Sequence, residues 1–277
     1  MEDRNTPNRL LLKRVLYRID FQFITEKIHE DIYAFIAEKY GHFFSEQSQE
    51  LANEIDMEID ISQLERPRVN KKSQPIFVFW QPKTDECDGR TLKFGRTFLY
   101  FELDLKAETM GIPYHEWVAD IITQMNAHPI FRLTRVGLRK FNSFFILGKN
   151  LENLKRLFHI DYLSEVPCKG FALDSFSNEQ MYEGDKYNLR FSRKYSSGLL
   201  SNVALDICNE ESHEISFDFD LFTTADELLY DLREHAENML LQMNDTIREF
   251  FTSVLDPEAV RKLNLGEQLE EYQIIPN

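Results

Sequence analysis

The residues best suited to chemistry in this sequence stand together in Thr134-Arg135-Val136-Gly137-Leu138-Arg139-Lys140-Phe141-Asn142. Side chains alternate faces along a strand, so Arg135, Gly137 and Arg139 point the same way. Two guanidiniums then lie about 13 Å apart along the strand, with a residue lacking Cβ between them. Guanidinium forks suit carboxylate and phosphate oxygens, which makes Arg135, Gly137, Arg139 and Asn142 a candidate site for an anionic ligand or a partner's carboxylate. Pairing with carboxylates on neighbouring strands accounts for the same arginines without any ligand. The glycine inside the strand predicts a bulge or the close approach of another group.

Two other sets carry weaker signals. Asp206, Asp218 and Asp220 fall on adjacent predicted strands, where clustered carboxylates could hold Mg²⁺ for phosphodiester chemistry, with Lys194 or His213 as companion. A solvated acidic face explains them as well. Arg66, Arg68, Lys71 and Lys72 sit in the polar stretch 65–74 around Pro67 and read as a mobile basic loop able to meet nucleic acid. The row Glu54, Asp56, Glu58 and Asp60 reads as a solvated strand face that discourages edge aggregation. The sequence contains no H-E-x-x-H, G-x-S-x-G, P-loop or G-x-G-x-x-G motif, so catalysis by those routes is disfavoured and no cofactor is expected.

The elements that must position these residues are legible from periodicity. Val15, Tyr17, Ile19, Phe21 and Phe23 alternate with Arg18, Asp20 and Gln22, giving a first strand over 14–24. Thr25 is a candidate N-cap for an amphipathic helix over 26–40 that stops before Gly41. Strands follow at 54–61 and 76–80, a hairpin tip at Asp88-Gly89, and a long returning strand over 91–105. A second helix is predicted at about 114–127 and the arginine strand at 130–147. A short helix at 150–158 leads to strands at 186–196, 199–208 and 213–222, joined at Ser197-Gly198 and across 209–212. The last long element is a helix over about 226–254, with Leu229, Leu232, Ala236, Met239, Leu240, Met243, Ile247 and Phe251 on one stripe. The expected fold class is α+β: antiparallel sheets with helices on one face, two sub-domains at 1–149 and 150–277, and a long C-terminal helix.

Composition bounds the rest. The chain has 277 residues, 43% of them apolar, with 23 phenylalanines and only 10 glycines, enough for an aromatic-rich core. Its net charge of −15 disfavours unspecific adherence to nucleic acid or anionic membrane, although a local basic patch can override that field. Cys87, Cys168 and Cys208 are isolated, which argues against a disulfide framework or a zinc cluster. The charged N-terminus lacks the apolar core of a signal peptide, and no apolar run reaches the roughly 18 residues of a membrane helix. The expected setting is the cytoplasm, with no membrane partner.

The order of motifs is similar to that of a sporadically distributed bacterial family of unknown function. Its strand motif stands here as Val136-Gly137-Leu138-Arg139-Lys140-Phe141-Asn142, its second-half strands as Leu205-Asp206-Ile207-Cys208 and Phe217-Asp218-Phe219-Asp220-Leu221-Phe222, and its helix end as Asn244-Asp245-Thr246-Ile247-Arg248-Glu249-Phe250-Phe251. Cys208 stands where that pattern has an acidic residue. The resemblance implies a bacterial intracellular protein from a mobile-element or antiviral-defence neighbourhood, with no established activity. The function expected from these readings is a non-enzymatic component that binds a protein partner or itself. The alternative is a nucleic-acid-processing or nucleotide-sensing protein that uses Arg135, Arg139 and the acidic strand residues.

Overall fold

Period-two alternation over so many segments demands a sheet with one buried face, and the computed structural model has that sheet. It describes residues 12–58, 68–84, 86–105, 113–148, 156–158, 174–202, 206–264 and 274–276. In chain order the elements are β1 (Leu12–Phe21), α1 (Glu26–Tyr40), β2 (Glu46–Glu58), β3 (Arg68–Gln81), β4 (Gly89–Phe94), β5 (Phe98–Asp104), α2 (Tyr114–Asn126) and β6 (Leu133–Leu147). Then come β7 (Ser175–Glu183), β8 (Asn188–Asn202), β9 (Ile207–Thr223), α3 (Asp226–Val254), α4 (Pro257–Asn264) and β10 (Ile274–Pro276). Nine strands form one antiparallel sheet in the order β2-β3-β4-β5-β1-β6-β9-β8-β7, and β10 pairs with the end of β6. The two sheets expected from the sequence are therefore one. Its two halves meet where β6 pairs with β9, from Val136 opposite Thr223 to Leu147 opposite Ser212. The expected boundary between residues 149 and 150 lies outside the described residues.

The register explains which face is buried. Phe79, Leu92, Phe101, Tyr17, Leu138, Leu221 and Leu189 lie opposite one another strand by strand and are all buried. Helices cover this face. Tyr33 of α1 stacks on Phe77, Trp117 of α2 on Phe101, and Phe251 of α3 packs edge-on against Phe217 and Phe219. Sequence and structure agree closely on α1, whose N-cap is Thr25: its hydroxyl accepts from the Ile28 backbone N–H at 3.4 Å.

Several boundaries differ from expectation. The long strand at 91–105 is two, turned at Gly95, whose N–H donates to the Phe98 carbonyl. Asp88 is not an exposed hairpin tip; it is buried and accepts a hydrogen bond from the Tyr114 hydroxyl at 3.0 Å. Ser197-Gly198 is no turn either, because β8 runs straight through it while pairing with β9. The turn comes before β9, where Asp206 takes a left-handed φ of 55°, a conformation short polar side chains tolerate. The strand β7 is an addition to the expected strands, since its sequence, SFSNEQMYE, shows little apolar alternation. At the other edge, the expected basic loop is largely strand. Arg68, Lys71 and Lys72 belong to β3, opposite Glu58, Ile55 and Glu54 of β2, so backbone pairing holds this segment extended. Arg66 and Asp60 lie outside the described residues. The helix α3 spans the expected range, but His235, at φ −135° and ψ 37°, breaks it into two segments. No helix among the described residues is long and apolar enough to cross a membrane.

Candidate functional site

Because β6 alternates, Val136 and Leu138 are buried under the helices while Arg135, Gly137 and Arg139 face the other way. The ladder brings partners to them on that open face. Arg18 of β1 lies opposite Gly137, and Gly137 in turn lies opposite Phe222 of β9. One row along, Leu16, Arg139, Asp220, Arg190 and Met181 succeed one another across five strands. Gly137 is in register on both sides, and the irregularities of the β1–β6 pairing lie instead near its ends, at Leu12/Arg14 and Asp20/Phe21. The expected strand irregularity at Gly137 is thus absent. A Cβ there would sit 3.5 Å from Phe222 Cβ and 3.7 Å from Arg135 Nη2, ordinary contacts, so the glycine lowers the floor without being sterically required.

These side chains line a recess of about 410 Å³ walled by Arg18, Arg135, Arg139 and Arg190, with Leu16, Tyr100, Met181, Asp220 and Phe222. Each guanidinium brings five N–H donors. Arg139 uses two of its nitrogens on the Asp218 carboxylate, one bond measuring 2.7 Å from Nε to Oδ1. That pairing pushes the Arg139 guanidinium above its ordinary pKa. Arg18 Nε donates to Asp20 at 2.6 Å and Arg190 Nη2 to Asp220 at 2.9 Å. Arg135 differs from the other three. It makes no hydrogen bond among the described residues: its carboxylate neighbours Asp20 and Asp220 are 3.9 and 3.7 Å away, and its Nε is buried with no acceptor. Its guanidinium instead lies over the Phe222 ring, 4.7 Å from the centroid. Burial, and then the hydrogen bond to Glu102, hold the Tyr100 hydroxyl above the usual tyrosine range, so it stays protonated at the edge of the recess.

Asn142, the fourth residue of the candidate set, is buried and belongs to the other face. Asp218 and Asp220 share the open face, and arginines engage both. Asp206 does not join them; it sits at the far end of β9, about 40 Å away by strand rise. His213 cannot assist them, being on the covered face, where its Nδ1 meets the Tyr195 hydroxyl at 2.9 Å. The basic segment at Arg68, Lys71 and Lys72 is separated from β1 by β4 and β5 in the sheet order, so it does not extend the recess. No protein-family model, curated protein or solved structure matches this chain.

Sequence reasoning missed Arg18, Arg190, Tyr100, Met181 and Phe222 as parts of the site. Arg18 carried a signal, since it lies on the polar face of its strand, but strand order alone brings Arg190 to it. A second cleft, of about 580 Å³, opens between α1, α2 and the break in α3, lined by Lys39, Tyr40, Asp120 and His235 among others. Beside it, the ligand atoms of His115, Glu116 and Glu237 lie within 4.8 Å of one another, and these are the residues that could hold a cation. Lys39 and Tyr40 both donate to Asp120 at 2.6 Å there. Cys87 is a further reactive candidate: the Thr84 hydroxyl, with Arg90 nearby, holds its thiol below the ordinary range.

Proposed function

We propose that this is a non-enzymatic binding protein whose arginine-lined recess receives an anionic group of its partner. The supporting observation is Arg135: in a chain of net charge −15, four guanidiniums converge on one recess, and one of them has no hydrogen bond of its own among the described residues. Carboxylate and phosphate share the needed chemistry, two or more oxygens that accept from a guanidinium fork. An acidic segment of a protein partner or a phosphate-bearing small molecule would satisfy it. The setting we propose is the cytoplasm of a bacterium, at a defence or mobile-element locus; support comes from the motif resemblance and the isolated cysteines.

Calorimetric titration with pyrophosphate and with an oligoglutamate peptide tests the reading and separates the two sources. At low salt, at least one probe should bind saturably, bind less tightly at 0.5 M salt as Coulomb attraction is screened, and lose at least tenfold in affinity in Arg135→Gln. Mass spectrometry should recover the probe unchanged after incubation with Mg²⁺. Binding by neither probe, affinity indifferent to Arg135→Gln, or conversion of the probe would each overturn the proposal.

A further inference from the structure

Resting on the recess as a binding site, we infer that its ligand is a nucleoside monophosphate. The lining has three parts of different chemistry. Arg18, Arg135, Arg139 and Arg190 supply N–H donors, and among the described residues only Arg139 has two nitrogens hydrogen-bonded within the protein. Such a surplus suits a phosphate dianion, whose three terminal oxygens accept from several forks together.

The second part is the Phe222 ring with the Arg135 guanidinium lying over it, 4.7 Å from the centroid, a stack that a planar ring can extend, while Leu16 and Met181 stand at opposite ends of the row that runs from β1 to β7. Inorganic phosphate would leave this surface uncovered. A recess of about 410 Å³ falls within the usual range for small-molecule sites.

Asp220 is the third part and the deciding one. Among the described residues it is the one carboxylate lining the recess, and it is mostly buried, held by Arg190 at 2.9 Å with Arg135 at 3.7 Å. A purely anionic ligand, which carries only acceptors, can make no hydrogen bond with it. A ligand that also donates hydrogen bonds would gain from it, and the vicinal hydroxyls of a ribose are such donors. Phosphate, planar base and sugar hydroxyls together match the three parts.

The experiment compares the four common ribonucleoside monophosphates with inorganic phosphate and with adenosine, by calorimetry on the full chain. At least one monophosphate should bind ten times or more tighter than phosphate, and adenosine more weakly than either. Arg135→Gln should weaken phosphate and monophosphate alike. Phe222→Leu and Asp220→Asn should each erase the monophosphate's advantage while leaving phosphate affinity within about threefold. Circular dichroism checks that each variant is folded, and Phe222→Leu carries the test should Asp220→Asn fail to fold. Equal affinity for phosphate and every monophosphate would overturn the nucleotide assignment while leaving the recess an anion site. Tight adenosine binding indifferent to Arg135→Gln would overturn it too. If no phosphate-bearing probe binds but the oligoglutamate peptide does, the assignment falls and the binding reading stands; if nothing binds, both fall.

Discussion

The two faces of this sheet are built from the same strands and held by different physics. On β6, Val136 and Leu138 are fully buried on the helix-covered face, whereas Arg135 and Arg139, one residue away, keep 33% and 42% of their side-chain surface in water. The covered face is a continuous layer of aromatic and aliphatic groups whose loss of contact with water drives folding. The open face is a lattice of arginines and carboxylates, where solvent screens each pair and little net stability comes from any one of them. The covered face therefore carries the fold. The open face is free to carry a ligand, because altering it leaves the core intact.

The largest effect that would break this comparison belongs to the covered face. Leu138→Asp should destabilise the protein by about 3 kcal/mol or more, since it places an unpaired carboxylate in a buried layer. Urea unfolding followed by circular dichroism measures it, and a midpoint equal to the parent's would mean the helices do not seal that face. The same experiment should show one transition, as strands from both halves of the chain share the sheet.

Next is Arg139→Ala on the open face. Asp218 would lose two charge-assisted bonds, but solvent at a side chain 42% exposed limits the loss to about 1 kcal/mol. The difference from the parent should shrink in 0.5 M salt. A loss above about 3 kcal/mol would give this face a structural weight the comparison denies it.

Acid should act through the covered face. Burial lowers the pKa of His213 and of His29 below the ordinary histidine value. Between that ordinary value, about 6.5, and the lowered folded value, the unfolded chain binds protons that the folded chain does not. Stability is then full above about pH 6.5, declines as pH falls below it, and levels off beneath the folded pKa values. His213→Gln should flatten this decline; an identical slope would mean that His213 does not titrate differently on folding. Smallest of all, Gly137→Ala should change stability by no more than about 0.5 kcal/mol, as the added methyl makes ordinary contacts and restricts the unfolded chain. A loss above 2 kcal/mol would restore the close-approach reading of this glycine.

Local signals carried much of this structure. The helix over 26–40 was readable because a capping threonine, an apolar stripe and a terminal glycine agree on the same ends. The shared direction of Arg135, Gly137 and Arg139 followed from the two-residue period of a strand, and Arg139 does have an anionic partner, Asp218. Where local signals conflicted with pairing, pairing prevailed: Ser197-Gly198 looked like a turn, yet both residues find ladder partners in β9, Ser197 opposite His213 and Gly198 opposite Ser212.

By itself, the sequence determined the alternation that assigns each side chain a face, the apolar stripes that make the helices, and the acidic balance of the chain. These are properties of residues a few positions apart, and short-range geometry expresses them directly. Tertiary structure alone decided that β1 and β9 flank β6, and so that Arg18, Arg190 and Phe222 surround Arg135. Strand order is a choice among long-range pairings, and it rests on the total apolar surface that the whole sheet buries under its helices.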